Sequence, residues 1–355
     1  MELFPLYYDL NVTYRGKASM AKSSAQKSRR VTPWDGEQDL TATQAFLKRY
    51  YDSHYMERHE IVDASGEAGM INSYQPAKCP YCGSKKFRKR GLTGSGIQRY
   101  LCECGKAFLP TTGTIFDDRK ISISEWMEYC LNLFRHVSIN ADSWNNKNAF
   151  TTSRYWLQKL FLTLQGVQDG IVLSKKVWID ETFYTVRSPD IVRKDDGTLF
   201  RGLSRNQICI GVATDKRHTL LIPLGTGQPS QKRVLEAFAS HIESGSALVH
   251  DEEVAHKKLI QHLSLKSIAY SSKELKGRPD KDNPLNPVNR VHAILKKFLN
   301  AHSGFNRSEI QGYLDLFAFV SNPPSELLEK VELVIKTAFQ NPKSLKYRDF
   351  YGVNT

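Results

Sequence analysis

The sequence predicts an α/β protein: a mixed sheet flanked by helices, preceded by a small four-cysteine module and a helical region. Three observations predict it. Hydrophobic spacing changes from helical to alternating near residue 175. Beyond that point, short β-branched runs alternate with amphipathic segments, the pattern of a sheet covered on both sides. Before it, four of the six cysteines fall in one short stretch. Such clustering reads as a metal module in a reducing cytoplasm, not as a secreted disulfide scaffold.

Composition narrows the function classes. A chain of 355 residues is expected to hold two or three domains. Its net charge of +13 favours a polyanionic partner, nucleic acid before membrane. No apolar run approaches the roughly 20 residues that a membrane span needs, so no membrane partner is expected. The N-terminal stretch Met1–Asp9 lacks a basic region followed by an apolar one, so no secretory signal is expected either. The location implied is cytoplasmic and nucleoid-associated.

Residues 1–75 read as a basic arm and a helix of unassigned role. Lys17, Lys22, Lys27, Arg29 and Arg30 lie among Ser, Ala and Gln. They suit a solvated arm, or one that tracks DNA phosphates. Asp39 or Thr41 is positioned to cap a packing helix that runs to about residue 60. Ala64 to Pro76, with two glycines, reads as a linker.

Residues 76–118 read as a zinc ribbon. Cys79-Pro80-Tyr81-Cys82-Gly83 forms one knuckle and Cys102-Glu103-Cys104-Gly105 the other. Four thiolates suit tetrahedral Zn²⁺, which would stabilise a segment too small for its own core. Lys85, Lys86, Arg88, Lys89, Arg90 and Arg99 lie between the knuckles. They form either a DNA-phosphate face or a solvated surface.

Residues 119–170 read as helices. Ser122 or Ser124 caps the first, Ser138 to Trp144 forms a short second, and Thr151 or Thr152 opens a longer third. Short helix, turn, longer helix is the helix-turn-helix pattern, shared with generic three-helix packing.

Residues 171–322 carry the sheet. Val177 to Tyr184 is a buried strand with Asp180 at its midpoint. A long polar loop, Ser188 to Arg205, follows. Gln207–Ala213 and Thr219–Leu224 form a hairpin around Asp215-Lys216-Arg217. Ser230 to Ile242 is an amphipathic helix, Ser246 to His250 a short strand ending at Asp251, and Val254 to Leu263 helical. A polar loop from Lys273 leads to a helix opened by Asn286 or Pro287. Residues 323–355 form a C-terminal helical tail.

Carboxylates at one level on neighbouring strands can chelate hard cations. Asp180 and Asp251 are the candidates. At about 100° per residue, Asn289, His292 and Lys296 share the helix face opposite Val291, Leu295 and Phe298. That stripe would offer an amide oxygen, an imidazole and an ammonium to the sheet. Two oxygen-bound Mg²⁺ (or Mn²⁺) ions could activate water or a 3′-hydroxyl at a phosphodiester. Glu181, Glu252, Glu253, Glu274, Asp280 and Asp282 are rival ligands. Strand alternation turns Glu181 to the opposite face from Asp180.

In this order the parts resemble bacterial insertion-sequence transposases of the ISXO-like group. The residues that carry the resemblance begin with Cys79-Pro80-x-Cys82-Gly83 and Gln98-Arg99-Tyr100-x-Cys102-x-Cys104-Gly105-Lys106-x-Phe108. Thr112-Gly113-Thr114-x-Phe116 and Trp126 follow, then Ile179-Asp180-Glu181-Thr182, Arg201-Gly202, Gln207 and Asp251. The match closes on Val288-Asn289-x-x-His292-x-x-x-Lys296, Gly304 and Tyr313-Leu314.

The resemblance implies an RNase H-like catalytic domain of the DDE type. It implies cleavage and joining at terminal inverted repeats by metal-dependent hydrolysis and transesterification. Asp180 and Asp251 match the first two metal-binding acids, Asn289 the third position and Lys296 the lysine that follows. Double-stranded DNA, both element ends and target, is the implied partner, bound by a homo-oligomer. Two alternatives stay open: a domesticated DNA-binding regulator without activity, and a nuclease of the same fold without strand transfer.

Overall fold

The computed structural model describes residues 34–59, 64–119, 121–146, 148–186, 190–302 and 305–352. The basic arm expected before residue 34, Ser188 at the start of the polar loop, and Gly304 lie outside the described residues. The chain divides into two compact units, residues 1–54 and 55–355. Helix α1 (Ala42–His59), which starts in the first, opens with a reciprocal cap. The Gln44 N–H donates to Thr41 Oγ1 and the Thr41 N–H to Gln44 Oε1. Lys48 pairs with Asp35 and Asp52. Phe46 and Tyr50 are exposed, so this helix does not bury the aromatic face expected of a packing element.

The second unit opens with α2 (Ala64–Ser73), where the sequence suggests a linker. Local propensity is overridden by tertiary contacts. Ile71 and Ala68 are buried. Glu67 accepts from Arg119 at 2.5 Å and from the backbone N–H of Ile123 at 2.9 Å. A three-stranded antiparallel sheet follows: β1 (Phe87–Leu92), β2 (Gln98–Cys102) and β3 (Ala107–Phe108). Its small core is Phe87, Tyr100 and Phe108 packed beside Cys79 and Cys102.

Ser122 caps α3 (Ile123–Phe134), its hydroxyl accepting from the Glu125 N–H. Then come α4 (Ile139–Asn146) and α5 (Phe150–Leu164). Ala149, not a threonine, sits at the start of α5. Every position from Thr151 to Leu164 is buried or half-buried. Helix α5 therefore packs mainly into the core, with Phe150 exposed at its N-terminal end.

Five strands build the main sheet: β4 (Lys176–Thr185), β5 (Gln207–Thr214), β6 (Thr219–Thr226), β7 (Ala247–Asp251) and β8 (Lys266–Tyr270). Their order is β6-β5-β4-β7-β8. The first three form an antiparallel meander, and β7 and β8 run parallel to β4. This is the mixed five-stranded sheet of an RNase H-like fold. Strand β8 escapes the sequence reading because its alternation is weak and its face half-exposed.

Helices cover both faces, as expected. Alternation along β4 sends Val177 and Ile179 to one face and Trp178 to the other. The first face packs on α6 (Gln231–Phe238), capped by Ser230, and α7 (Lys257–His262). After the short α8 (Ser272–Leu275), α9 (Asn286–Ala301) and α10 (Ile310–Ser321) cover the second face. Helix α11 (Leu327–Gln340) is not a free tail: Val331, Val334 and Ala338 are buried in that same core. Lys330, also buried, donates to the carbonyls of Phe319 and Asn322 at the end of α10. The chain closes with α12 (Tyr347–Tyr351). No helix among the described residues is long and apolar enough to cross a membrane.

Candidate functional site

Strand β7 pairs with β4 from Lys176↔Ala247 to Trp178↔Val249. Continuing that register brings Asp180 level with Asp251. Each aspartate is anchored by backbone: Asp180 Oδ1 accepts from the Glu181 N–H at 2.8 Å, and Asp251 Oδ1 from the Glu253 N–H at 3.2 Å. Burial, reinforced by the Asp251 charge, pushes the Asp180 carboxyl up to about 7. Two facing carboxylates with this mutual repulsion are a donor set that fits a hard divalent cation.

Helix α9 packs across this end of the sheet. His292 is on its buried stripe with Val288, Leu295 and Phe298, not on an opposite polar face as helical spacing suggested. Its Nδ1 is 3.8 Å from Asp180 Oδ2, and its Nε2 is buried without a hydrogen-bond partner. Burial, then the charge of Lys296, lowers this imidazole to about 4, so it is neutral at pH 7. Asn289 and Lys296 are exposed, one turn to either side of His292. The structure therefore brings together Asp180, Asp251 and His292, with Asn289 and Lys296 flanking them on α9.

The rival acids are placed differently, Glu253 being half-buried next to Asp251, to which its backbone N–H donates. Glu274 is occupied capping α8 through Ser271. Glu252, Asp280 and Asp282 are exposed. Glu181 lies on the opposite face of β4, where it meets His256 at 3.1 Å. Sequence reasoning missed His256 and His250. The second precedes Asp251 directly, and its imidazole beside a candidate ligand was the one available signal. Desolvation opposes the charge of His256, yet the hydrogen bond and charge of Glu181 raise it. Burial lowers His250.

The four cysteines of the ribbon converge. Cys79 Sγ lies 4.0 Å from Cys104 Sγ, and Cys82 Sγ lies 3.5 Å from Cys102 Sγ. All four sulfurs lie within 4.8 Å of one another. Tetrahedral zinc at about 2.3 Å from each sulfur requires sulfurs about 3.8 Å apart. The shortened Cys-x-Cys knuckle therefore still brings all four sulfurs within reach of one ion. Gly83 and Gly105 both have positive φ, the conformation the two knuckle turns require. Although desolvation raises it, the backbone N–H groups of Tyr81 and Cys82 draw the Cys79 thiol down to about 7. Lys85, Lys86, Arg88, Lys89, Arg90 and Arg99 are all exposed.

Residues 172–322 match the family described as the ISXO2-like transposase domain. Among solved structures, the Mos1 strand transfer complex is similar at 12% identity and a TM-score of 0.27, covering 62% of this chain and 78% of that one. A pre-cleavage Mos1 transpososome gives 10% identity and 0.23, covering 62% and 79%. No curated protein matches the chain.

Proposed function

We propose that this chain, whose residues 172–322 match the ISXO2-like transposase domain, acts in transposition of a mobile element and cleaves and joins DNA at the terminal inverted repeats of that element. The observation that carries this reading is the pair Asp180 and Asp251, level on adjacent parallel strands beneath α9. Divalent cations bound there, Mg²⁺ or Mn²⁺, supply activation of the attacking oxygen and stabilisation of the leaving oxygen.

The residues act as follows. Asp180 and Asp251 hold cations and, once charged, hold them against a DNA phosphate. The neutral His292 imidazole adds no repulsion to an incoming cation and limits water at Asp180 Oδ2. Asn289 offers an amide oxygen from the exposed edge of α9, and Lys296 an ammonium for a substrate phosphate. An amide is a weaker ligand than a carboxylate, so the site rests mainly on its two aspartates.

The ribbon, holding Zn²⁺ through Cys79, Cys82, Cys102 and Cys104, presents its exposed cations to the phosphates of the element ends. The net charge of +13 supports a polyanionic substrate. Holding two ends at once calls for a homo-oligomer on DNA.

The test is Mg²⁺-dependent cleavage and strand transfer on inverted-repeat DNA, wild type against Asp180→Ala, Asp251→Ala and Asn289→Ala. Both activities are expected in the wild type and neither in the aspartate variants. Specific binding without any cleavage would instead identify a DNA-binding regulator. Cleavage without joined products would identify a nuclease.

A further inference from the structure

We propose that the buried side chains of Glu181, His256 and His250, anchored at one end on the exposed Ser267, form a strut that sets the separation of Asp180 and Asp251. The proposal rests on the metal-binding reading of those two aspartates. Its starting point is where the sheet's own ladder stops. The β4–β7 pairs end at Trp178↔Val249, before the level of the carboxylates. Strand β7 is still paired to β8 there, through His250↔Ala269 and Asp251↔Tyr270. Strand β4 has no such backbone tie to β7 at that level, although both acids must keep one spacing to share cations.

Side chains supply the missing tie. Glu181 follows Asp180 on β4 and points to the other face; His250 precedes Asp251 on β7 and does the same. The chain turns after Asp251 into a short 3₁₀ turn (Val254–His256) that returns His256 beneath both strands. Its ring is 0% exposed. Nε2 lies 3.1 Å from Glu181 Oε1, and Nδ1 lies 3.4 Å from His250 Nδ1. The two rings meet edge to face at 5.1 Å. His250 Nε2 then reaches Ser267 Oγ on β8 at 2.9 Å. The strut therefore crosses β4, β7 and β8 directly under the carboxylate pair.

Its hydrogen bonding closes in either protonation state of His256. With His256 neutral, its Nε2–H donates to Glu181, the His250 Nδ1–H donates to His256 Nδ1, and the Ser267 hydroxyl donates to His250 Nε2. With His256 cationic, its Nδ1–H donates to His250 Nδ1, and the His250 Nε2–H donates to Ser267. With its three inner members buried and each one satisfied, such a chain is rigid and orientation-specific, which an apolar filling would not be. These are positioning residues, acting on the reaction only through Asp180 and Asp251.

The experiment uses the full chain and Mn²⁺ as the probe. Mn²⁺ affinity is measured by electron paramagnetic resonance without DNA, beside kcat and KM for end cleavage and the unfolding midpoint. His256→Ala is expected to weaken Mn²⁺ binding about tenfold to a hundredfold, the usual effect of losing a residue that orients a ligand. It should lower kcat, leave KM for DNA unchanged, and be partly rescued by excess Mn²⁺. His256→Gln, which can still donate to Glu181, should recover much of the affinity.

His250→Phe keeps the ring volume without its nitrogens and takes the place of His256→Ala if that variant does not fold; the same loss of Mn²⁺ affinity is expected. Wild-type Mn²⁺ affinity in the folded variants would overturn the strut, as would a loss that tracks only the unfolding midpoint with no recovery in His256→Gln. Asp180→Ala separates the two levels. If it retains Mn²⁺ binding and cleavage, the metal reading itself fails. If it loses both while the histidine variants keep wild-type affinity, only the strut fails.

Discussion

The zinc ribbon and the carboxylate end of the sheet are both candidate metal centres, built in opposite ways. The ribbon's four sulfurs come from two short knuckles with tight turns at Gly83 and Gly105. Its core amounts to three aromatic rings. The carboxylate site draws on β4, β7 and α9, far apart in the chain, and stands on two large apolar cores. In the ribbon the metal would make the fold; at the carboxylates the fold would make the metal site. Local spacing suffices for one, and long-range topology is required for the other.

That contrast predicts different responses to the loss of ligands. The largest effect is expected on chemistry: Asp180→Ala or Asp251→Ala should lower DNA cleavage by more than the roughly hundredfold typical of outer-shell changes. The unfolding midpoint should hardly change, because the cores remain. Unfolding measured by circular dichroism alongside cleavage assays checks both halves. A large drop in stability would break the comparison.

Zinc removal should do the reverse. Chelation, or Cys82→Ser with Cys104→Ser, should unfold the ribbon and release one zinc per chain, read by metal analysis. The main sheet should stay folded, and binding to inverted-repeat DNA should weaken. If the sheet unfolds together with the ribbon, the two centres are not energetically separate.

Packing under the sheet should respond next. A Cβ added at Gly312 would sit 2.4 Å from Phe161 Cδ2, and one at Gly211 would sit 2.7 Å from Phe238 Cε2. Gly312→Ala is expected to destabilise the protein by about 1–3 kcal/mol through overpacking, measured by denaturant unfolding. The ribbon's zinc content should not change.

The pH response sharpens the comparison further. Folded Asp180 keeps its proton to about pH 7, while the unfolded carboxyl loses it near 3.8. Between those values the folded state binds the extra proton, so this group's contribution is full at low pH and falls as pH rises through the window. Mg²⁺ should offset the loss, stabilising more at pH 8 than at pH 5 in thermal unfolding. Asp180→Asn should flatten both trends.

The smallest effect is expected on the ribbon's surface. Replacing Arg88 or Lys89 by Ala should weaken DNA binding almost equally for all sequences. Each should reduce the salt slope by about 1 if it contacts a phosphate. Binding assays at several salt concentrations would detect it.

How much of this was legible beforehand depends on the range of the forces involved. Strand β4, the β5–β6 hairpin, the Ser122 and Ser230 caps and the cysteine set were readable, because alternation, turn chemistry and ligand spacing are local. Helix α2 was not, since Glu67 and Ile71 are held by residues far away in the chain. Helix α5 carries a helix-turn-helix pattern, and only the structure shows that it also packs against α10 and α11. Helical spacing set His292 with the polar residues, and only packing against β4 shows it buried beside Asp180.

The sequence by itself determined the residue types, the ribbon's ligand set, four of the main sheet's five strands and the two aspartates as candidates. Tertiary structure alone decided which groups meet: His292 beside Asp180, and His256 between Glu181 and His250. The physical reason is that spacing along a chain specifies faces of single elements. The register of β7 on β4, and the path of the turn after Asp251, depend on burial and hydrogen bonding across elements that the linear pattern does not contain.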